Sequence, residues 1–301
     1  MKFLVTGGAG FIGSNLVERL VKEGHEVTVL DNLHTGSETN LSSVKDKIKF
    51  INGNASKISE INEKFDGIFH NGIYSSSPMY RDDLRLIAQV IDEFISILEY
   101  ARKHNTKVVF ASSSSVYSGL MPPHKEDMQI KVTDFYTEAR LPLERLAELY
   151  NKLYGTKVIG LRYFSVYGPH EESKGQYANL ITQFLWAMKK NEAPVIFGDG
   201  NQKRDFTYVG DVVEANLLSM NSKVDFGIFN VGTGATYTLN DMCKLLSKKM
   251  SKDIKPTYVP NPIKNYVQYT QADTTKAENI LGFKAKLTLE TGIEKLLVHY
   301  G

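Results

Sequence analysis

Lys2-Phe3-Leu4-Val5-Thr6-Gly7-Gly8-Ala9-Gly10-Phe11-Ile12-Gly13 opens the chain and decides its fold. The apolar run Phe3-Leu4-Val5 has the continuous hydrophobicity of a strand buried on both faces. From Ser14 onward, Leu16, Val17, Leu20 and Val21 recur at helical spacing, so the glycines form a strand-to-helix turn. In such a turn Gly7 permits the tight bend, Gly10 lets a pyrophosphate approach the backbone, and Gly13 lets the helix pack closely on the strand. Phe11 and Ile12 complete the stretch that faces the dinucleotide. The helix N-terminus presents unpaired N–H groups and a partial positive charge to the phosphates.

A second strand, Glu26-Val27-Thr28-Val29-Leu30, runs into Asp31, 18 residues after Gly13. A carboxylate there accepts hydrogen bonds from the adenosine ribose hydroxyls and repels a 2′-phosphate. No Arg or Lys follows closely to hold such a phosphate. The expected cofactor is NAD rather than NADP.

The rest of the first half alternates strand and helix signals. Strands are expected at Lys2–Thr6, Glu26–Leu30, Ile48–Asn52, Gly67–His70, Lys107–Ala111 and Lys157–Arg162, with helices including Leu84–His104 and Leu141–Tyr154. This pattern predicts an α/β fold with a doubly wound parallel sheet. After Phe164 the elements shorten and prolines gather at Pro169, Pro194, Pro256, Pro260 and Pro262, while Gly227–Val231 reads as one more strand of the large sheet. The expected organisation is an NAD-binding domain over residues 1–164 with a returning segment near 206–232. A smaller, discontinuous substrate lobe would comprise residues 165–205 and 233–301, with the substrate between the lobes.

Composition bounds the function classes. The chain has 301 residues, 42% hydrophobic and 23% charged, with a formal net charge of +2. Such a balance gives no argument for nucleic acid or an anionic membrane. No apolar run reaches membrane-span length, and the short N-terminal run does not read as a signal peptide. Cys243 is the single cysteine, which excludes an internal disulfide and fits a reducing, cytoplasmic setting. No metal-ligand spacing is evident.

The chemistry is expected at the end of the strand Val108-Val109-Phe110-Ala111, where Ser112, Ser113, Ser114 and Ser115 follow. Ligands of doubly wound sheets bind at the carboxyl ends of the strands. Farther on, Tyr136 and Arg140 stand four residues apart at a helix start, which puts a phenol and a fixed cation on one face. A phenol of pKa about 10 needs nearby positive charge to act as a base at neutral pH. With Arg140 and a nicotinium ring beside it, Tyr136 would take a proton from a sugar hydroxyl while hydride leaves the same carbon.

In these motifs the chain resembles the extended short-chain dehydrogenase/reductase family, in particular nucleotide-sugar epimerases such as UDP-glucose 4-epimerase. The likeness extends through Asp31-Asn32-Leu33, Phe69-His70, Ser112 to Tyr117, Tyr136, Leu161-Arg162-Tyr163-Phe164, Val166-Tyr167-Gly168-Pro169, Gly198-Asp199-Gly200, Arg204-Asp205-Phe206 and Asn230-Val231-Gly232-Thr233-Gly234. The resemblance implies Ser113 and Tyr136 as catalytic residues, with Arg140 at the position of the family lysine. It implies Asn32, Asn54 and Ala55 at the cofactor, and Ser113, Ser115, Ser165, Lys174 and Arg204 at a nucleotide-sugar substrate, most simply a UDP-hexose. Helices corresponding to Leu84–His104 and Leu141–Tyr154 pair relatives into dimers, so a homodimer is expected.

The chain departs from that pattern in ways that bear on the chemistry. Arg140 keeps the charge of the lysine with a different shape. Asn54 replaces an adenine-binding Asp, Ser165 replaces an Asn, and His70-Asn71-Gly72 replaces His-Leu-Ala. His70 is expected as a strand-end residue. Lys264 is the one cation near a second phosphate-binding position. The second half, at Glu171 to Asn179, Arg204 to Val212 and Tyr269 to Asp273, resembles ADP-glyceromanno-heptose 6-epimerase, in which a lysine at the position of Lys174 lies by the sugar. Sugar and base are therefore open between the two. Ser114-Ser115 stand where dehydratases carry an Asp-Glu pair, which sets dehydration aside. An NAD-binding sensor or scaffold without catalysis is the reading that Arg140 otherwise invites. Net reduction with NADPH is opposed by Asp31.

Overall fold

The computed structural model describes residues 1–263 and 266–301. Seven parallel strands form its main sheet: β1 (Lys2–Thr6), β2 (Glu26–Asp31), β3 (Ile48–Asn52), β4 (Gly67–His70), β5 (Lys107–Ser113), β6 (Val158–Tyr163) and β7 (Phe226–Val231). Their spatial order is β7-β6-β5-β4-β1-β2-β3. The order reverses at β1, whose neighbours are β2 and β4, and this reversal opens a crevice at the carboxyl ends of the strands. The seven expected strands are present. β2 and β5 run one and two residues farther, to Asp31 and Ser113, so both residues sit at strand ends and face the crevice.

Helices cover both faces of the sheet. On one side α1 (Phe11–Lys22) and α6 (Val209–Asn221) bury Leu16, Val17, Leu20, Val212 and Val213 against Phe3, Val5 and Val29. On the other, α3 (Arg85–His104) and α4 (Phe135–Tyr154) bury Val90, Phe94, Ile97, Leu143 and Ala147 against Leu4, Ile68, Val108 and Phe110. The short α2 (Ser77–Asp82) precedes α3. A separate apolar cluster joins α5 (Leu180–Lys189), α7 (Leu239–Lys249) and α9 (Leu289–Tyr300) through Phe184, Leu185, Met242, Leu246, Ile293 and Leu296, with Cys243 buried among them. Burial pushes the Cys243 thiol up to about 12, which leaves it unreactive. α8 (Thr275–Leu281) returns to the large sheet and packs on β7.

The fourth helix starts six residues before the expected Leu141. Asp134 caps it by accepting from the Thr137 N–H at 2.7 Å, and Pro142 is carried inside the helix. The cap brings Tyr136 and Arg140 into the first turns. Farther along, α4 is fastened to the sheet by a buried charge pair. Arg162 on β6 donates to both oxygens of Glu144, at 2.9 and 2.6 Å, and to the Tyr117 hydroxyl at 2.6 Å. Ser112 donates to the same carboxylate at 2.5 Å, so the end of β5 is held from beneath. Tyr117 in turn donates to Asn230 at the end of β7. Among the described residues, no helix is long and apolar enough to cross a membrane.

Candidate active site

A cleft of about 340 Å³ lies over the carboxyl ends of β1, β2, β4 and β5, a size typical of small-molecule sites. Its floor is the glycine turn. Gly7 adopts φ +66°, a left-handed conformation that glycine takes without strain. A Cβ on Gly13 would stand 2.0 Å from the Gly7 carbonyl oxygen, so the helix sits against the turn as closely as a backbone allows. A Cβ on Gly10 would meet nothing nearer than 3.2 Å, and that side of the turn is left open to the cleft. α1 begins at Phe11 with Gly10 as an extended N-cap and no side chain capping its free N–H groups. The turn is also pressed against the end of β4, because a Cβ on Gly7 would fall 2.5 Å from the Gly72 nitrogen. Gly72 in place of a larger residue is the steric counterpart of Gly7.

Asp31 is buried at the end of β2. Its carboxylate accepts from the Ala9 N–H at 2.9 Å and from the Leu33 N–H at 2.7 Å. Burial raises its pKa, opposed by these backbone donors. The residue therefore braces the glycine turn while keeping lone pairs toward the cleft. Beyond it, the Asn32 amide donates to Asn54 Oδ1 at 2.8 Å, and Asn54 starts the short turn that carries Ala55.

At the other end, Ser113, Ser114, Tyr136, Arg140, Tyr163 and Ser165 line the cleft. Arg140 is 3% exposed. Its Nη2 donates to the Tyr74 carbonyl at 2.6 Å and lies 3.4 Å from the Tyr136 hydroxyl, while Nε and Nη1 have no partner among the described residues. Its guanidinium carbon lies 4.8 Å from the Tyr136 ring centre. A buried guanidinium with two idle donors at a cleft wall is unsatisfied without a further acceptor. Ser113 accepts from the Ser115 N–H at 3.1 Å, which leaves its own hydroxyl hydrogen available. Ser165 holds φ +29°, a strained position for a residue with a side chain, at the cleft wall. His70 is a strand-end residue, its Nδ1 2.7 Å from Thr6 Oγ1 and its ring stacked on Phe94. Burial, helped by Arg140, pulls its pKa down to about 3, so it is neutral at ordinary pH.

Of the residues singled out from sequence, Gly7, Gly10, Phe11, Ile12, Gly13, Asp31, Asn32, Asn54, Ala55, Ser113, Tyr136, Arg140, Ser165 and Lys174 all line this one cleft. Ser115 and Arg204 do not. The Ser115 hydroxyl is buried beneath the turn after β5. Arg204 donates to the Lys203 carbonyl at 2.8 Å and the Val267 carbonyl at 2.5 Å and lies over the Tyr266 ring. Its neighbour Asp205 is not its partner, since Asp205 accepts from Thr233, Gly234 and Ala272. Lys264 falls outside the described residues. Sequence reasoning missed Glu93, Tyr74, Tyr163, Tyr177 and Asn179 in the lining. Only Glu93 carried a readable signal: a carboxylate in the buried stripe that Leu86, Val90, Phe94 and Ile97 form on α3.

Residues 3–232 match the model of the NAD dependent epimerase/dehydratase family. The chain belongs to that family. As a member of the NAD-dependent epimerase/dehydratase family it uses NAD, and its glycine turn, Asp31 and idle Arg140 donors fit a dinucleotide along the cleft. The chain is 35% identical to a putative UDP-glucose 4-epimerase of Methanocaldococcus jannaschii, over 98% of this chain and 96% of that protein. It is 32% identical to an ADP-L-glycero-D-manno-heptose-6-epimerase of Brachyspira hyodysenteriae, over 97% and 95%. The fold matches the crystal structure of UDP-glucose 4-epimerase from Thermotoga maritima with UDP-glucose, at a TM-score of 0.92 and 33% identity, covering 100% of this chain and 98% of that one. Relatives of this family member thus include epimerases of nucleotide-linked sugars.

Proposed function

We propose that this enzyme epimerises a nucleotide-linked hexose, with UDP-glucose and UDP-galactose as the pair interconverted. The observation that carries the reading is the joint placement of Ser113, Tyr136 and Arg140 on the wall of the cleft whose floor is the glycine turn. Bound NAD supplies the hydride acceptor and donor. Tyr136 takes the proton of the sugar hydroxyl, and Arg140 places positive charge beside the phenol oxygen. The Ser113 hydroxyl orients the reacting sugar oxygen. The resulting keto sugar presents its other face, and Tyr136 returns the proton as the hydride comes back. The cycle needs no external redox partner, only a cleft that excludes water.

Residues 165–205 and 233–301 form the substrate lobe in this reading, with Ser165 and Lys174 contributing from its edge. Arg204 would reach substrate only after leaving its present carbonyl partners, and Ser115 only after its hydroxyl leaves its buried position. We further propose a homodimer built on α3 and α4 and a cytoplasmic setting, the latter in keeping with the free Cys243.

One observation favours a second substrate. Lys174 lines the cleft with its ammonium 5.4 Å from the Phe11 ring centre, which suits an ADP-heptose 6-epimerase as well. Incubation of the purified protein with a panel of sugar nucleotides, followed by NMR without added cofactor, separates the cases. Appearance of UDP-galactose from UDP-glucose supports the first reading, and turnover of the ADP-heptose alone replaces it with the second. Retained NAD without turnover of any sugar nucleotide assigns the protein to sensing or scaffolding.

A further inference from the structure

Glu93 stands in the wall of the cleft, carried there by α3. It is 5% exposed, on a helix face otherwise occupied by Leu86, Val90, Phe94 and Ile97. Its carboxyl accepts from the Gln89 amide at 2.8 Å, and the Ala55 backbone N–H faces it. The other titratable groups facing it are Asp92 on its own helix and the phenols of Tyr74 and Tyr80. Among the described residues, no cation is one of them. Burying a carboxylate without a cation is costly, and burial raises the pKa of Glu93. A core position would be filled more stably by an apolar residue, and a carboxyl held by Gln89 and Ala55 at the wall of a cleft is placed to meet a polar ligand.

The surroundings indicate which ligand. Gln89 also donates to the Tyr74 hydroxyl at 3.0 Å, and Asn32 and Asn54 bond to each other nearby, so this end of the cleft is polar on several sides. The Ala55 N–H that faces Glu93 belongs to the turn after β3, and β2, which ends at Asp31, lies between β3 and the β1 strand that leads into the glycine turn. What lies past the ribose in a dinucleotide is its base. We propose that Glu93 reads the amino edge of the cofactor's adenine, accepting from the exocyclic amine and, when protonated, donating to the adjacent ring nitrogen. This rests on the nucleotide reading of the cleft and adds to it a residue that sets base specificity. A carboxyl group matches that edge because adenine shows a donor and an acceptor side by side, and a protonated carboxyl is complementary to both. Hypoxanthine, with an oxygen in place of the amine and a protonated ring nitrogen, presents the reverse pattern, and the carboxyl is held from inverting to match it because Gln89 donates to its Oε1 and so fixes that oxygen as the acceptor.

The test is a calorimetric titration of the protein, freed of bound nucleotide, with NAD and with nicotinamide hypoxanthine dinucleotide. The parent protein is expected to bind NAD about tenfold or more tightly than the hypoxanthine analogue, the size of one mismatched base contact. Glu93→Ala should weaken NAD and erase most of that preference. Glu93→Gln should keep both NAD binding and the preference, because its amide oxygen takes the Gln89 donor and its NH2 stands where the acid proton was. Equal affinity of the parent protein for both dinucleotides overturns the proposal, and that measurement needs no variant to fold. An undiminished preference in Glu93→Ala overturns it too. Binding of neither dinucleotide instead defeats the nucleotide reading on which the proposal stands, which keeps the two failures apart.

Discussion

Arg140 donates through one nitrogen, to the Tyr74 carbonyl and toward the Tyr136 hydroxyl, and keeps Nε and Nη1 free at the cleft wall. Those donors suit a hydroxylated ligand as well as the ammonium of a lysine would, so Arg140→Lys should leave turnover near the parent value. Arg140→Ala should lower it at least about tenfold, since each charge-assisted bond is worth more than a neutral one. A collapse of steady-state activity in Arg140→Lys would mean that the planar fork itself is required. Tyr136→Phe removes the hydroxyl proposed as proton acceptor and keeps the ring that packs in the fold. It should cut kcat by about 10² to 10⁴-fold while NAD remains bound, read by absorbance of the denatured protein's supernatant. The place of Asp31 at a strand end in the cleft was legible in sequence, yet its grip on the Ala9 and Leu33 amides was not, because a side chain's backbone partners depend on how the turn folds over the strand. Arg204 shows the opposite case. Its residue type suited phosphate, but only the three-dimensional path of residues 266–267 reveals that two carbonyls already engage it.

The glycine turn and α1 behave as one element, and the two glycines at its helix end make different demands. Gly10→Ala should fold with a small adjustment and lose NAD affinity, because the added methyl projects into the open side of the turn. Gly13→Ala has no such room and should destabilise the protein by about 3 kcal/mol in urea denaturation. Equal stability of the two variants would contradict the close helix contact. The Arg162–Glu144 pair is the second element-scale feature. Glu144→Ala leaves Arg162 buried and unpaired, for a loss of about 3–5 kcal/mol. Strand positions were readable because continuous apolar runs announce a parallel sheet, and β7 was recognisable by the same sign. The start of α4 was legible only in part: the Tyr136–Arg140 spacing marked a helix start, but Pro142 interrupts the pattern and only the Asp134 cap, seen in space, fixes the first turn.

At the scale of the molecule, α3 and α4 lie side by side and leave Ile95, Leu149, Leu153 and Tyr154 exposed. A second copy covering that surface would give a dimer, and light scattering should find twice the chain mass of 33.8 kDa. Leu153→Glu should shift it to the monomer; a parent protein that is monomeric at every concentration removes the dimer. The order of motifs made the large sheet and its crevice legible. The small cluster of α5, α7 and α9 was less so, because short elements joined by prolines carry little periodicity and acquire their partners only through distant contacts. One carbonyl ties these scales together. Tyr74 O receives both the Tyr80 hydroxyl and the Arg140 guanidinium, so the 71–76 connection sets where the cation rests. Loops elsewhere on the rim can be varied freely, but lengthening this one link would let the guanidinium drift from the phenol and silence the proposed reaction with Ser113 and Tyr136 still in place.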